Sequence, residues 1–316
     1  MMKKINDIIG DAKTIGIAGH LRPDGDCMGS CMSLYNYLKK NRPDLDVRVF
    51  LEFVDKKFNI IENTDQIITT GYDGTKFDLF ISLDTASLDR LGLNLPFYEN
   101  AKRTACIDHH ASNDGYADYN YILPKASSAS EVLYDLLDED LIDKSIAEPM
   151  YMGIAHDSGV FRFQSTTPKT MRIAANMIEK GVNVNMILEE TFFRKTYNQM
   201  MVTAKIQSEA VLALDGKCIY GYCTSEMMEE YGVTTKDLDA VVASIRNVDG
   251  VEVAMFLYQL SEDSYKVSLR SKNYVDVSKI AVENGGGGHV RAAGAEIHGK
   301  LNDIINKLLN RIKQDI

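Results

Sequence analysis

The chain has 316 residues, of which 45% are hydrophobic and 25% are charged, and its net charge is −10. This length predicts two domains, and the composition is that of a globular protein with ample core. The negative charge argues against a protein that coats long duplex nucleic acid, which binds basic surfaces, but small anionic substrates remain open.

The start of the chain predicts neither a leader nor an anchor. Asp7 and Asp11 interrupt the segment after the basic start Met1 to Lys4, and no apolar run is long enough to span a bilayer. Five cysteines without regular spacing are typical of a reducing compartment rather than a disulfide framework. We therefore expect a cytoplasmic protein with no membrane partner.

The first part of the chain predicts an α/β domain with a parallel sheet. Apolar runs that read as strands alternate with amphipathic stretches, at 14–18, 47–51, 77–83, 103–107 and 119–122. Crossover helices are predicted over 28–40 and 127–137, the second with Ser128 as N-cap and Glu131 completing a capping box. Ligands of a doubly wound sheet bind beyond the carboxyl ends of its strands.

Ligand-type side chains lie at these strand ends. They are His20, Asp24, Asp26, Asp84, Asp108, His109 and His110, and Asp157 follows a later apolar segment. An Asp-Gly turn or a helix N-cap explains each aspartate taken alone. The whole set predicts a centre for two divalent metal ions with N and O ligands, with Mn²⁺ as the best match and Mg²⁺ as the alternative.

The second part of the chain predicts a smaller α/β domain. A segment without Gly or Pro, 192–214, is predicted to be a helical connector. Strands are then predicted at 217–223, 251–259, 265–271 and 295–298, and helices at 235–248, 276–284 and 301–312.

A glycine-rich segment interrupts this second domain at 284–294. Four consecutive glycines, Gly285 to Gly288, would let backbone amides approach an anion, and a helix starting near His289 would add its positive end. His289 and Arg291 would then supply phosphate-binding donors. A flexible surface loop is the alternative, and the absence of a following Lys-Ser/Thr excludes a Walker loop.

Taken in order, these motifs resemble a known family. They are similar to motifs I to IV of the DHH phosphoesterase superfamily. The matching residues are, in order, His20, Asp24 and Asp26; Asp84; Asp108, His109 and His110; and Asp157. The segment from Gly286 to Arg291 resembles the signature motif of the C-terminal DHHA1 domain of that superfamily. Length and loop resemble the NrnA type, which degrades very short RNA (nanoRNA) and dephosphorylates 3′-phosphoadenosine 5′-phosphate (pAp). His156 departs from the pattern, because NrnA-type sequences commonly have Thr there.

The resemblance implies a metal-dependent phosphoesterase acting on short oligoribonucleotides or pAp. Related stand-alone enzymes hydrolyse cyclic di-AMP or pApA, which is the alternative function, and a non-catalytic nucleotide-binding regulator is a third. The resemblance also implies domains at 1–190 and 215–316 joined by the connector 191–214, an active site in the cleft between them, and a homodimer as a further option.

The resemblance further implies residue roles. His20, Asp24 and Asp84 would hold one ion, and Asp26, Asp84, His109 and Asp157 the other, with Asp84 bridging. Asp108 would orient a neighbouring histidine, and His110 would stabilise or protonate the departing oxygen. The substrate-binding residues of the second domain would be Arg270, Ser271, Gly287, Gly288, His289 and Arg291.

Overall fold

The structure is a computed structural model that describes residues 4–238 and 241–316. The chain divides into two compact units, Met1–Arg194 and Lys195–Ile316. Each unit has its own β-sheet and its own buried apolar core, so the predicted α/β architecture is confirmed.

The first unit is built on five parallel strands in the order β2-β1-β3-β4-β5. The strands are β1 Thr14–Ala18, β2 Asp46–Phe50, β3 Leu79–Leu83, β4 Thr104–Asp108 and β5 Tyr119–Ile122. All five positions of β3 are buried, as expected where helices cover both faces of a parallel sheet. Because β1, β3 and β4 are neighbours and parallel, their carboxyl ends lie side by side at one edge.

Seven α-helices accompany this sheet in the described part of the first unit. They are α1 Ile5–Ile9, α2 Gly25–Asn41, α3 Leu95–Glu99, α4 Ala129–Leu136, α5 Lys144–Asp157, α6 Pro168–Glu179 and α7 Val184–Leu188. A π-helical turn, Glu189–Phe193, follows α7 directly. Short 3₁₀ turns occur at Lys56–Phe58, Thr64–Gln66, Leu88–Asn94 and Glu139–Leu141.

The start of α4 confirms one sequence prediction and corrects another. Ser128 is the N-cap, and its Oγ accepts a hydrogen bond from the backbone N–H of Glu131 at 3.0 Å. The predicted capping box is wrong. Glu131 instead accepts hydrogen bonds from the hydroxyls of Ser127 at 2.6 Å and Thr170 at 2.7 Å, so its carboxylate ties α4 to α6.

The second unit contains a six-stranded sheet in the order β10-β11-β9-β8-β7-β6. The strands are β6 Val211–Ala213, β7 Cys218–Cys223, β8 Val253–Ser261, β9 Ser264–Ser271, β10 Gly287–His289 and β11 Ala292–His298. β7 and β8 pair in parallel, and the other pairings are antiparallel. The helices are α8 Tyr197–Ser208, α9 Ser225–Tyr231, α10 Val241–Ile245, α11 Val277–Val282 and α12 Leu301–Ile312.

The predicted connector helix over 192–214 is wrong in extent. Thr196 forms a capping box with Gln199, which starts α8 afresh at Tyr197. After Ser208 the chain leaves the helix and pairs as β6 with β7, so sheet pairing overrides helix propensity there.

The helix predicted over 235–248 is also shorter in the structure. A 3₁₀ turn occupies Thr235–Asp237, α10 covers Val241–Ile245, and residues 239–240 of the predicted helix lie outside the described residues. No helix within the described ranges is both long and apolar enough to cross a membrane.

Candidate metal centre

The carboxyl edge of the first sheet brings together the predicted ligand residues. His20 lies just beyond β1, Asp84 directly follows β3, and His109 directly follows β4. Asp157 is the last residue of α5. The parallel register of the three strands therefore brings together side chains that are far apart in the sequence. His20 and His109, for example, are 89 positions apart.

Asp84 lies at the centre of this cluster. Its backbone has a φ of 52° and its N–H donates to the carbonyl of Ile107 at 3.1 Å, which turns the chain sharply at the end of β3. The side chain is 3% exposed. Its Oδ2 lies 3.4 Å from Nε2 of His20, and its Oδ1 lies 3.5 Å from Nε2 of His109.

The Oδ1 atom of Asp84 is buried and makes no hydrogen bond within the described residues. An unsatisfied buried carboxylate oxygen costs free energy, so such an atom points to a ligand. The imidazole nitrogens lie 3.4 and 3.5 Å from the carboxylate oxygens, longer than the roughly 2.7–2.9 Å of a close charged N–H···O bond, and such a spacing leaves room for a cation between the ligand atoms.

Three groups of ligand atoms surround this carboxylate. Among the described residues, the groups whose atoms all lie within 4.8 Å of one another are His20, Asp24 and Asp84; Asp26, His109 and Asp157; and Asp84, His109 and His110. Asp84 and His109 each belong to two groups, so neighbouring cation positions would share ligands. The donors are imidazole nitrogens and carboxylate oxygens, which suit Mn²⁺ or Mg²⁺ better than a thiolate-bound structural zinc.

Asp24 and Asp26 are held by the starts of two helices. Asp24 is the N-cap of α2, and its Oδ1 accepts the N–H groups of Asp26 and Cys27, both at 3.1 Å. Asp26 is fully buried and accepts from the backbone of Ala129 at 2.6 Å and the hydroxyl of Ser130 at 2.6 Å, at the start of α4. Asp24 therefore does cap a helix, as the alternative explanation of a single aspartate predicts. It caps the helix through Oδ1, and Oδ2 takes no part in the capping.

The buried carboxylates of the cluster favour positive charge beside them. Burial alone would lower the pKa of His109, but the carboxylates of Asp157, 3.0 Å away, and of Asp84 raise that pKa to about 12. Burial and the nearby carboxylates of Asp84 and Asp157 raise the pKa of Asp26 well above its ordinary value. Divalent cations satisfy the same demand, because they neutralise several carboxylates at once.

Asp108 lies beside the cluster and outside the three groups of the described residues. It is fully buried, and its Oδ1 accepts a hydrogen bond from Nδ1 of His110 at 2.8 Å. Its Oδ2 accepts one from the amide of Asn113 at 2.7 Å. Burial opposes charge on His110, but Asp108 raises the pKa of this imidazole. Asn113, five positions after Asp108, belongs to no motif that would have predicted this contact.

Arg90 also lies next to the cluster and was missed. Its backbone carbonyl accepts the N–H of Leu21 at 2.7 Å, which ties the 3₁₀ segment Leu88–Asn94 to the residue after His20. Its Nη2 lies 3.3 Å from Nδ1 of His20, and the side chain is exposed. A single arginine between Asp89 and Leu91 belongs to no recognisable motif, so only the fold reveals this placement.

The residues predicted to bind substrate in the second unit lie on both sides of β11. Arg270 and Ser271 end β9, Arg270 pairs with Ala292 of β11, and Ser271 donates its N–H to the carbonyl of Arg291 at 3.1 Å. Gly287, Gly288 and His289 form the exposed strand β10, which pairs with the other side of β11.

The predicted helix start near His289 is wrong, because the chain forms a β-hairpin there. A Cβ at Gly288 would lie 2.5 Å from the carbonyl oxygen of Ala292, and one at Gly286 would lie 2.1 Å from that of Gly294. The close approach of β10 and β11 therefore requires these two glycines, whatever their role toward an anion.

Arg291 is also placed differently from the expectation. Its Nη1 donates to the carbonyl of Val275 at 2.7 Å, and its Nη2 donates to the carbonyl of Asn273. The guanidinium thus holds the loop after β9 within its own unit.

Comparison with known proteins agrees with this organisation. Residues 14–154 match the model of the DHH family, N-terminal domain, and residues 215–314 match the DHHA1 domain. A relative from Thermus thermophilus, named bifunctional oligoribonuclease and PAP phosphatase NrnA, is 31% identical over 313 residues, which cover 96% of this chain and 90% of the relative. The Bacillus subtilis protein of the same name is 27% identical over 290 residues, covering 90% of each chain.

A solved structure shows the same fold over nearly the whole chain. The crystal structure of an exopolyphosphatase-related protein from Bacteroides fragilis superposes with a TM-score of 0.89 at 23% identity, covering 98% of this chain and 95% of that one. The family models and the curated relatives confirm the family resemblance of the motifs. This chain belongs to the DHH family and carries both its N-terminal domain and a DHHA1 domain.

Proposed function

We propose that the protein is a metal-dependent phosphoesterase that hydrolyses short oligoribonucleotides, pAp, or both. The observation that carries the proposal is the Asp84 carboxylate, which is buried, unsatisfied at Oδ1 and shared by two groups of N and O ligands. Relatives named as oligoribonuclease and PAP phosphatase, at 27–31% identity over most of the chain, support the substrate class.

The residues fit two divalent ions. His20, Asp24 and Asp84 would hold one, and Asp26, Asp84, His109 and Asp157 the other. When bound, the ions lower the pKa of a water and neutralise phosphate oxygens. The preference for Mn²⁺ over Mg²⁺ is part of the proposal, and it rests on the mixture of imidazole and carboxylate donors.

His110 is the proposed proton donor to the departing oxygen. Its Nδ1–H is directed at Asp108, so the tautomer and the ring orientation are fixed. Since Nδ1 is committed to the carboxylate, Nε2 is the atom that would transfer a proton. Asn113 donates to the other oxygen of Asp108 at 2.7 Å and so helps to fix the carboxylate that orients His110.

Arg90 is the proposed phosphate contact in the first unit. If Nε2 of His20 binds a cation, Nδ1 must carry the proton, and it then donates to the carbonyl of Leu21 at 2.7 Å. A protonated Nδ1 cannot accept a hydrogen bond from Arg90, so the guanidinium keeps its donors for an anion. Bidentate contact with a phosphate is the chemistry that guanidinium groups favour.

The second unit would contribute substrate contacts of its own. Arg270 and Ser271 lie on β9 and His289 lies on β10, with β11 between the two strands, and Arg270 and His289 both pair with Ala292 of β11. Gly287 and Gly288 precede His289 on β10. In this proposal Arg291 supports the surface by holding the loop at Asn273 to Val275.

The test is a substrate panel on protein stripped with a chelator and reloaded with Mn²⁺ or Mg²⁺. The substrates are pAp, RNA di- to pentanucleotides, pApA and cyclic di-AMP, with Asp84→Asn as the inactive control. We expect turnover of pAp or short RNA that depends on added metal. Turnover of cyclic di-AMP or pApA alone would favour the alternative function, and full turnover in excess chelator would contradict metal dependence.

A further inference from the structure

His156 has no role in the function proposed above, although it precedes Asp157 at the end of α5. The imidazole acts through its shape and its hydrogen bonds.

The imidazole ring stands directly against the backbone of Gly25. A Cβ built on Gly25 would lie 2.1 Å from Cγ and 2.3 Å from Nδ1 of His156, so only glycine leaves room for the ring. Gly25 separates Asp24 from Asp26, and the main chain of His156 continues into Asp157. One side chain thus braces the segments that carry three of the proposed metal ligands.

Thr191 fixes the orientation of the ring from the side opposite Gly25. Nε2 of His156 lies 2.9 Å from Oγ1 of Thr191, and that hydroxyl donates its own proton to the carbonyl of Ile187 at 2.7 Å. Thr191 must therefore accept from His156, which places the imidazole proton on Nε2. The rings of Phe58 and Phe192 meet the imidazole edge to face, with centroids 5.9 and 5.3 Å away.

Thr191 belongs to the π-helical turn Glu189–Phe193. A π-turn shifts the side chains after it relative to a regular helix, and such turns are frequent at functional sites. Here the turn directs the Thr191 hydroxyl at the imidazole, so the contact links the end of α7 to the cluster at the sheet edge.

We propose that His156 is a positioning residue of the metal centre, which sets the spacing between the Asp24–Asp26 turn and Asp157 and is itself held by Thr191. This inference rests on the proposed function, because it takes those aspartates to be ligands. His156 is not a ligand in this scheme. It lies outside the three groups found among the described residues, and Thr191 engages its Nε2.

The test is Mn²⁺ affinity, measured on chelator-treated full-length protein by electron paramagnetic resonance of the free ion. Residues that support metal ligands from behind typically contribute 10- to 100-fold to affinity, so we expect His156→Ala to weaken binding by about that factor. Thr191→Val should weaken binding in the same direction by less. His156→Gln, whose side-chain amide can donate to Thr191, should recover part of the loss.

A matched control separates positioning from general stability. Met177→Ala truncates a fully buried core residue of α6 in the same unit, and it should lower the melting temperature while leaving Mn²⁺ affinity unchanged. If Met177→Ala weakened Mn²⁺ binding as much as His156→Ala, the inference would be overturned.

Wild-type affinity in both Thr191→Val and a folded His156→Ala would also overturn it. Should His156→Ala fail to fold, Thr191→Val and His156→Gln decide the question, and wild-type affinity in both overturns the inference. Wild-type protein that bound no Mn²⁺ at all would contradict the proposed function itself. If instead the wild type bound Mn²⁺ and the variants bound it with the same affinity, only the role of His156 would be contradicted.

Discussion

Asp108 accepts a hydrogen bond from Nδ1 of His110 at 2.8 Å, although His109, the residue between them, faces Asp157 at 3.0 Å. Three consecutive side chains at the end of β4 therefore serve different partners. The rings of His109 and His110 lie 4.8 Å apart, and both lie beside Asp84, so the two histidines differ in their hydrogen-bond and ion-pair partners rather than in the side of the chain they occupy. This difference in partners separates the proposed proton donor from the proposed metal ligand.

The separation predicts that His110→Ala keeps metal but slows the chemical step. Loss of a positioned acid–base group typically costs about 10²–10⁴-fold in kcat. Mn²⁺ content after gel filtration and kcat on pAp or a dinucleotide would be measured together. Asn113→Ala should lower kcat by less, since it loosens Asp108 without removing the imidazole. Metal loss in His110→Ala as complete as in an Asp84 variant would contradict this division of roles.

Asp84→Asn is expected to abolish binding of both ions and essentially all turnover, because one carboxylate serves two groups of ligands. Asparagine is the suitable replacement, since it tolerates the left-handed backbone that Asp84 adopts with φ of 52°. Metal content and circular dichroism would be compared with Asp65→Asn, an exposed carboxylate in the same unit. A variant that retained one tightly bound ion would show that Asp84 does not bridge.

Arg90→Ala should raise KM for pAp or a short oligoribonucleotide while Mn²⁺ affinity stays normal. A hydrogen bond to a charged group contributes about 1.5–3 kcal/mol, so an increase of about 10- to 100-fold is expected. Arg48→Ala is the matched control, because Arg48 is a surface arginine of β2 that pairs with Asp46 of the same strand. Equal effects of the two substitutions would mean that Arg90 acts only through net charge.

Much of the first unit could be predicted from the sequence because apolar runs mark parallel strands and their ends mark the site. Asp84 and His109 follow such runs directly, which is why their convergence could be expected. Arg90 and Asn113 could not be predicted in the same way. Their roles depend on which loop lies beside which strand end, and that is decided by tertiary packing.

The error at the glycine-rich segment has a physical origin. The glycines before His289 predict an anion-binding helix start, but glycine also permits the close approach of two strands, and β10 and β11 use it in that way. For Arg291 in the same segment, the charge predicts a phosphate contact, which stays a prediction, while the structure shows that its guanidinium binds two backbone carbonyls. Composition cannot distinguish these uses.

Arg291→Ala is therefore expected to destabilise the second unit. The substitution leaves the carbonyls of Asn273 and Val275 without their guanidinium donors, at a cost of about 1–3 kcal/mol. Arg291→Lys should not restore stability, since one ammonium lacks the planar fork. Denaturant unfolding and hydrogen exchange of residues 272–275 would measure the effect. Unchanged stability combined with a raised KM would instead support the direct phosphate contact expected from the sequence.

The loop that Arg291 holds also depends on Glu252, which predicts a response to pH. Glu252 is 3% exposed, and its carboxylate accepts the backbone N–H groups of Asn273 at 3.0 Å, Tyr274 at 2.7 Å and Val275 at 3.1 Å. Burial alone would raise the pKa of Glu252, but these donors outweigh it and lower the pKa below its ordinary value of 4.5.

A depressed pKa in the folded state means that Glu252 stabilises the protein above pH 4.5 and that this contribution is lost as pH falls through the folded-state pKa. Glu252→Gln should lower the free energy of unfolding at pH 7 by about 1–3 kcal/mol, because an amide nitrogen replaces an acceptor that faces N–H donors. The difference between variant and wild type should then shrink below pH 4.5, because the Glu252 carboxylate of the unfolded wild-type chain is protonated there before that of the folded protein. Glu262→Gln, in the exposed turn between β8 and β9, is the matched control and should leave the unfolding curve unchanged at both pH values. A stability difference for Glu252→Gln that stayed constant from pH 7 down to pH 3 would show that packing, and not the ionised carboxylate, holds the loop.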